Sequence, residues 1–162
     1  METEAYIALG SNLGDRELNL LRAVAEIGRL PESRVTALSP FYETSPVGKV
    51  CQNAFYNAVL RLTTGLGARS LFTQLQRIEN QIFKRARTIK DGPRRIDLDL
   101  LIYGTEIIDE GDLVVPHPRL TERRFVLQPM CAIAPQVEHP LSGMTMKEHL
   151  ASLKTYESVV KL

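Results

Sequence analysis

The segment 96–103 restricts the fold more than any other, because it places two carboxylates one residue apart in an apolar run. In a β-strand, residues i and i+2 point to the same face, so Asp97 and Asp99 stand side by side with Cα atoms roughly 6.5–7 Å apart. Two acids beside a core repel each other and lose hydration, so they need a cation such as arginine or Mg²⁺. The opposite face is expected to be buried and carries Ile96, Leu98, Leu100 and Ile102.

The acid pair has two interpretations when it is considered alone. An alternating strand with one solvated face needs polar residues, and Asp is allowed there. Asp is nevertheless a poor strand former, and two in one short strand are unusual. Both a structural role and a metal or catalytic role therefore stay open until the neighbouring residues are considered.

Composition predicts an ordinary globular protein with one domain spanning residues 1–162. Hydrophobic residues make up 44% of the chain, charged residues 24%, and the net charge is +1, which gives no general attraction to nucleic acid or membranes. Cys51 and Cys131 are too few and too far apart for a disulfide framework or a zinc motif. The acidic start is unlike a signal peptide, and no apolar run approaches bilayer length, so a cytoplasmic location is expected.

The order of predicted elements is β-α-β-β-α-β. Strands are predicted at residues 5–10, 34–43 (bent or interrupted at Pro40), 54–64 and 96–103. Helices are predicted at residues 16–29 (capped by Asp15), 68–83 and 125–132, with a last short helix at 146–153 ending the chain's regular structure. This order predicts an α+β, ferredoxin-like fold: a mostly antiparallel sheet with helices packed on it. A doubly wound sheet fits less well, because only two helices separate strands.

The loop 84–95 is strongly basic. It holds six cations and one acid, a net charge of +5. Such a loop is often only solvated. Beside two aspartates, however, it also fits a phosphate clamp, with Mg²⁺ on one side of a polyphosphate and arginines on the other.

Several other polar residues fit a nucleotide or a flat ring. Phe55 and Asn57 share one strand face, and an aromatic surface beside an amide suits a hydrogen-bonding heterocycle. His117 stands between two prolines and is followed by three arginines. Gln76 and Glu79 share a helix face near the start of the basic loop. Each also has a purely structural interpretation when taken alone.

Together these motifs resemble the 6-hydroxymethyl-7,8-dihydropterin pyrophosphokinase family of folate biosynthesis over essentially the whole chain. The motifs are ALGSNLG at 8–14, FYETSPVG at 41–48, FYN at 55–57, QRIE at 76–79, GPRRIDLD at 92–99, VPHPRL at 115–120 and RRFVL at 123–127.

The resemblance implies that the β,γ-pyrophosphoryl group of ATP is transferred to the pterin hydroxymethyl oxygen, with release of AMP. Asp97 and Asp99 hold two Mg²⁺ ions in this interpretation, Asp97 helps to accept the hydroxyl proton, and Arg94 and Lys84 complete the catalytic set. The expected partners are ATP and hydroxymethyldihydropterin, with no nucleic acid, membrane or obligate protein partner.

The resemblance also implies the residues of two subsites. The pterin subsite contains Thr44, Ser45, Val47, Phe55, Asn57 and Phe125, with the two phenylalanines on either side of the ring. The ATP subsite contains Gln76, Glu79, Arg85, Arg87, Arg94, Leu100, His117 and Arg123.

The chain departs from the family pattern after the second helix. Phe83, Lys84, Arg85 and Ala86 stand where the family usually has Gly-Arg-x-Arg. Lys84 supplies charge without a bidentate fork, and Arg85 or Arg87 is the alternative cation. Two other functions stay open: a module that binds RNA or a regulatory ligand, and a catalytically silent relative. The small net charge and the absence of Trp argue against RNA.

Overall fold

The computed structural model describes residues 1–45, 53–83, 94–155 and 157–162. The predicted site residues Val47, Lys84, Arg85 and Arg87 therefore lie outside the described residues, as does most of the two predicted loops.

The described elements are β1 (Thr3–Ser11), α1 (Arg16–Gly28), β2 (Ser33–Leu38), β3 (Tyr42–Thr44), β4 (Phe55–Thr64), α2 (Ala68–Arg77), β5 (Asp97–Tyr103), β6 (Ile108–Glu110), β7 (Leu113–Val115), α3 (Arg124–Ile133), α4 (Met146–Ser152) and β8 (Val159–Lys161). A π-helical turn (Ile78–Ile82) continues α2, and a 3₁₀ turn (Leu120–Glu122) precedes α3. Asp15 caps α1 as predicted, because its side chain accepts a hydrogen bond from the Leu18 amide.

The main sheet has the strand order β5-β1-β4-β3-β8. On the same side of β4, β3 pairs with its first residues and β2 pairs with its last residues. Every pairing among the described strands is antiparallel. Since β1 and β2 both run opposite to β4 between them, they form a split β-α-β unit. This topology confirms the predicted ferredoxin-like α+β fold. It also places β5, the strand with the two aspartates, at one edge of the sheet.

Helices cover both faces of this sheet. Helices α1 and α2 pack against one face, and the apolar stripe of α2 is buried there, as its spacing predicts. This core includes the strand residues Ile7 and Leu60 and the helix residues Leu20, Ile27, Leu71 and Leu75. The other face packs against α3 and α4 through Tyr6, Val59, Leu101, Ile102, Leu127 and Met130. No helix in the described part of the chain is long and apolar enough to cross a membrane.

The predicted strand 34–43 is interrupted in the structure, which is one of the two alternatives predicted at Pro40. β2 ends at Leu38 and β3 begins at Tyr42, with Pro40 between them. Proline has no N–H for a ladder bond, so pairing stops there. Ser39 bridges the gap: its amide donates to the Val59 carbonyl (2.9 Å) and its Oγ accepts from the Val59 amide (3.0 Å).

The predicted orientation of Ile102 is wrong. Tyr6 pairs with Ile102 but Ile7 pairs with Leu100, so Leu101 is an extra residue in β5. An extra residue reverses the alternation of side chains beyond it. Ile102 therefore belongs to the α3 face, whereas Ile96, Leu98 and Leu100 lie on the α2 face as predicted.

Two parts of the secondary structure were not predicted. The last predicted element was the helix at 146–153, but a further strand, β8, follows α4 and pairs with β3. Strands β6 and β7 also form a separate antiparallel hairpin.

Candidate active site

The sheet aligns the predicted site residues in rows. Gly10 on β1 pairs with both Asn57 on β4 and Asp97 on β5, and Ala8 pairs with Asp99. Directly paired residues of antiparallel strands point to the same face. Both aspartates therefore stand on the face that packs against α3, next to Gly10 and Asn57.

A cavity of about 430 Å³ opens on this face, within the usual size for small-molecule sites. We call it the sheet-face cavity. Its lining contains the predicted residues Thr44, Ser45, Phe55, Asn57, Arg94, Asp97, Asp99, Arg123 and Phe125. The structure thus brings together every predicted pterin residue that it describes.

The floor of the sheet-face cavity is shaped by Gly10 and Asn57. Asn57 Nδ2 donates to Thr44 Oγ1 at 2.6 Å, which orients the amide and leaves Oδ1 as an acceptor. A Cβ on Gly10 would lie 3.0 Å from Asn57 Oδ1 and 3.5 Å from Phe55 Cδ1. Glycine at this position therefore keeps the floor open between the amide and the aromatic ring.

A second cavity, of about 320 Å³, lies at the edge strand β5, and we call it the edge cavity. Gln76, Glu79 and His117 line it, as do Phe72, Leu75 and Leu98. Among the described residues, four line both cavities, namely Arg94, Asp97, Asp99 and Arg123. The described pterin residues thus line one cavity, Gln76, Glu79 and His117 line the other, and the two cavities share the aspartates.

Basic side chains accompany the acid pair, as expected from its electrostatics. Arg94 Nη1 lies 3.1 Å from Asp97 Oδ1, and His117 Nε2 lies 3.9 Å from Asp99 Oδ1. Arg123 borders both cavities, and burial, followed by the charge of Arg119, lowers its pKa. The aspartate side chains are 28% and 34% exposed, so ligands can reach them.

His117 is oriented by the backbone around it. Its amide donates to the Leu101 carbonyl (2.8 Å), and its Nδ1 accepts from the Arg119 amide (3.1 Å). Burial, and then the charge of Arg123, lowers the pKa of His117. A neutral ring that accepts at Nδ1 carries its proton on Nε2, and we infer this tautomer from the hydrogen bond. His117 can therefore donate from Nε2 on the side of Asp99.

Glu79 has a structural task that its helix position did not reveal. It lies in the π-helical turn with 7% exposure, and its Oε2 accepts from the Leu98 amide at 2.7 Å. Leu98 separates the two aspartates on an edge strand, where backbone amides lack a neighbouring strand. Glu79 thus fixes the backbone that positions both carboxylates.

We expect Glu79→Ala to lower the free energy of unfolding by about 1–3 kcal/mol, because the buried Leu98 amide loses its acceptor. Glu79→Gln should cost less, since an amide oxygen can still accept. Urea denaturation measures both, with Glu106→Ala, at an exposed position, as the control. Equal stability of Glu79→Ala and the unchanged protein would contradict this role.

Sequence reasoning missed several residues of the site. Asn12 is 1% exposed; its Oδ1 accepts from the Arg94 amide (2.7 Å), and its Nδ2 donates to the Asn53 carbonyl (3.1 Å). Its signal was the motif ALGSNLG at 8–14, which contains it. Arg119 and Glu157 also line the sheet-face cavity. The cluster of arginines after His117 was a signal for Arg119, and Glu157 had none. Leu100 is buried in the α2-side core and is absent from both cavity linings, so its place in the ATP subsite stays a prediction.

Asp97 and Asp99 fit Mg²⁺ better than a metal that needs a cage of protein ligands. Within the described ranges, no group of three or more His, Cys, Asp or Glu side chains could hold a metal ion. Mg²⁺ does not need such a cage, since it is usually bound by one or two carboxylates together with substrate phosphates. Asp97 and Asp99 fit an ion that arrives with a polyphosphate.

Comparison with known proteins identifies relatives along the chain. The family model described as "7,8-dihydro-6-hydroxymethylpterin-pyrophosphokinase (HPPK)" matches residues 6–135. The 2-amino-4-hydroxy-6-hydroxymethyldihydropteridine pyrophosphokinase of Bacillus subtilis is 46% identical over 138 residues, covering 85% of this chain and 82% of the relative. The protein of the same name from Pseudomonas aeruginosa is 38% identical over 162 residues, covering 100% and 98%.

Solved structures share the fold at low sequence identity. The chain matches Plasmodium falciparum HPPK-DHPS with a TM-score of 0.74 and 14% identity, covering 93% of this chain and 43% of that one. An HPPK-DHPS in complex with substrates matches with a TM-score of 0.72, also at 14% identity, covering 94% and 43%. This chain therefore spans less than half of those proteins. The sequence relatives and the matched range show that the chain belongs to the 7,8-dihydro-6-hydroxymethylpterin-pyrophosphokinase family.

Proposed function

We propose that this chain transfers the pyrophosphoryl group of ATP to the hydroxymethyl group of 6-hydroxymethyl-7,8-dihydropterin, forming the pterin diphosphate and AMP. The observation that carries the proposal is the meeting of two cavities at Asp97 and Asp99. A transfer between two substrates needs one subsite for each and a charged junction between them. We propose that residues 1–162 form one pyrophosphokinase domain. The cytoplasmic location of the protein stays a prediction.

The sheet-face cavity is the proposed pterin subsite. Phe55 and Phe125 both line it and offer aromatic surfaces to a flat ring. Asn57 Oδ1 remains available to accept from a ring N–H, because the amide nitrogen is used on Thr44. Thr44 and Ser45 complete this end of the cavity.

The edge cavity is the proposed nucleotide subsite, with Gln76, Glu79 and His117 in its wall. Arg94 and Arg123 stand at the junction, where the charge of the triphosphate would accumulate. Guanidinium groups bind phosphate oxygens with two parallel hydrogen bonds. The Nε2–H of His117 adds a neutral donor beside Asp99.

The reaction requires positioning and charge neutralisation more than covalent participation by the protein. The hydroxymethyl oxygen bonds to the β-phosphorus while the bond from that phosphorus to the α,β-bridging oxygen breaks, and AMP leaves with that oxygen. Asp97 lies on the boundary of both cavities, so its carboxylate is a candidate acceptor for the hydroxyl proton.

Two Mg²⁺ ions are proposed as cofactors, with Asp97 and Asp99 as their protein ligands. Held by Asp97 and Asp99, Mg²⁺ would supply charge to neutralise the triphosphate and would make the hydroxyl more acidic. Roles for Val47, Lys84, Arg85 and Arg87 stay predictions, since these residues lie outside the described ranges.

The product nucleotide tests the proposal directly. Incubation with ATP, Mg²⁺ and 6-hydroxymethyl-7,8-dihydropterin should release AMP and pterin diphosphate in equal amounts, measured by anion-exchange chromatography. Omission of the pterin is the control and should leave ATP intact. Release of ADP instead of AMP, or an absence of turnover, would refute the proposal; the second result would identify a catalytically silent relative.

A further inference from the structure

Glu157 is a wall residue of the sheet-face cavity that the proposed mechanism does not use. It lies between α4 and β8, far along the sequence from every predicted pterin residue. Its Oε2 is buried and has no hydrogen-bond partner within the described part of the chain. Thr155 Oγ1 shares that condition, but Thr155 is not in the cavity lining.

Two sets of contacts hold the backbone around Glu157. On one side, Arg124 Nη2 lies 3.4 Å from the carbonyl oxygens of Leu153 and Thr155. On the other, β8 pairs with β3, and Val159 is directly opposite Thr44. Thr44 itself lines the cavity, so this pairing holds the chain next to Glu157 against the pterin end of the site.

An enclosed carboxylate oxygen without a donor is energetically unfavourable. An ionised carboxylate can only accept hydrogen bonds, so a bound ligand relieves the cost only by bringing N–H or O–H donors. The last torsion of a Glu side chain is soft, which lets the carboxylate turn towards such donors.

The proposed substrate carries suitable donors. The aminopyrimidinone edge of a pterin presents a 2-amino group beside a ring N–H, and a carboxylate accepts such a pair with both oxygens. Asn57 contributes another acceptor to the same cavity.

Resting on the proposed function, we propose that Glu157 accepts hydrogen bonds from the 2-amino group and the adjacent ring N–H, and so selects 2-amino over 2-oxo rings. A 2-oxo ring turns a carbonyl towards the carboxylate at that position. A site built to accept from an N–H discriminates strongly against an analogue that lacks it, because its buried polar group stays unpaired.

The test compares binding of 6-hydroxymethylpterin and its 2-oxo counterpart, 6-hydroxymethyllumazine, by calorimetry with Mg²⁺ and a non-hydrolysable ATP analogue. The unchanged protein should prefer the pterin. Glu157→Gln keeps the shape but replaces one acceptor by a donor, so the affinity ratio should fall at least tenfold. Affinity for the nucleotide should stay the same. Glu106→Gln makes the same charge change at an exposed position and should leave the ratio unaltered.

Glu157→Asp separates hydrogen bonding from charge. It keeps the negative charge but withdraws the carboxylate, so pterin affinity should fall although the charge is retained. An unaltered affinity ratio in Glu157→Gln would overturn the role of Glu157. The proposed function would still stand if the unchanged protein formed AMP. Failure of the unchanged protein to bind pterin would overturn both.

Discussion

Replacing Asp97 or Asp99 by Asn should lower kcat for AMP formation about 100- to 1,000-fold, the scale of losing one electrostatic stabiliser of a charged transition state. Both carboxylates line both cavities, so each faces the transferred group in the proposed reaction. Asn keeps the size of the side chain but removes the negative charge that is proposed to hold Mg²⁺. The loss should therefore fall on the chemical step.

The same substitutions should leave the fold intact. Both side chains are partly exposed, and half-exposed ion pairs contribute little to stability. Removing one of two neighbouring like charges also relieves repulsion. Circular dichroism and urea denaturation check stability, and AMP release measures activity. Asp109→Asn, at an exposed position of β6, is the control. More than a tenth of the original activity in either variant would refute the metal assignment.

Gly10→Ala should weaken pterin binding at least tenfold. The added methyl group would approach Asn57 Oδ1 to 3.0 Å, and that amide cannot easily move, because it donates to Thr44 at 2.6 Å. The methyl group would also occupy the floor of the sheet-face cavity beside Phe55. Overpacking of this kind forces side chains or backbone to shift.

Affinity for nucleotide should be unchanged, because Gly10 does not line the edge cavity. Calorimetric titration with pterin and with an ATP analogue separates these effects. Gly67→Ala is a matched control, since a Cβ there meets nothing within 4 Å. Equal pterin affinity in Gly10→Ala and Gly67→Ala would show that the floor does not need a glycine.

Local patterns account for what the sequence predicted correctly. The stripe Leu71, Leu75 and Ile78 defined a helix face, and the alternation of 96–100 put two acids on one side of a strand. These periodicities depend on neighbours a few residues away. Grouping the aspartates with Phe55, Asn57 and Phe125 depended on the family resemblance, because the separations along the chain are large.

The remaining features depend on contacts between distant segments. The bulge at Leu101 results from pairing with β1, so nothing within 96–103 signals it. Strand β8 is three residues long and exists as the partner of β3. Asn12 and Glu157 have ordinary local contexts, and only the folded chain brings them to the site.

The bond between Glu79 and the Leu98 amide also bears on solubility. An edge strand with open amides is a template on which another chain can add a strand and begin aggregation. Glu79 occupies such an amide near the start of β5 and places a buried carboxylate where an incoming backbone would need to pair. Variants that remove this carboxylate should therefore be monitored for self-association as well as for catalysis, because the residue that shapes the site also blocks its exposed edge.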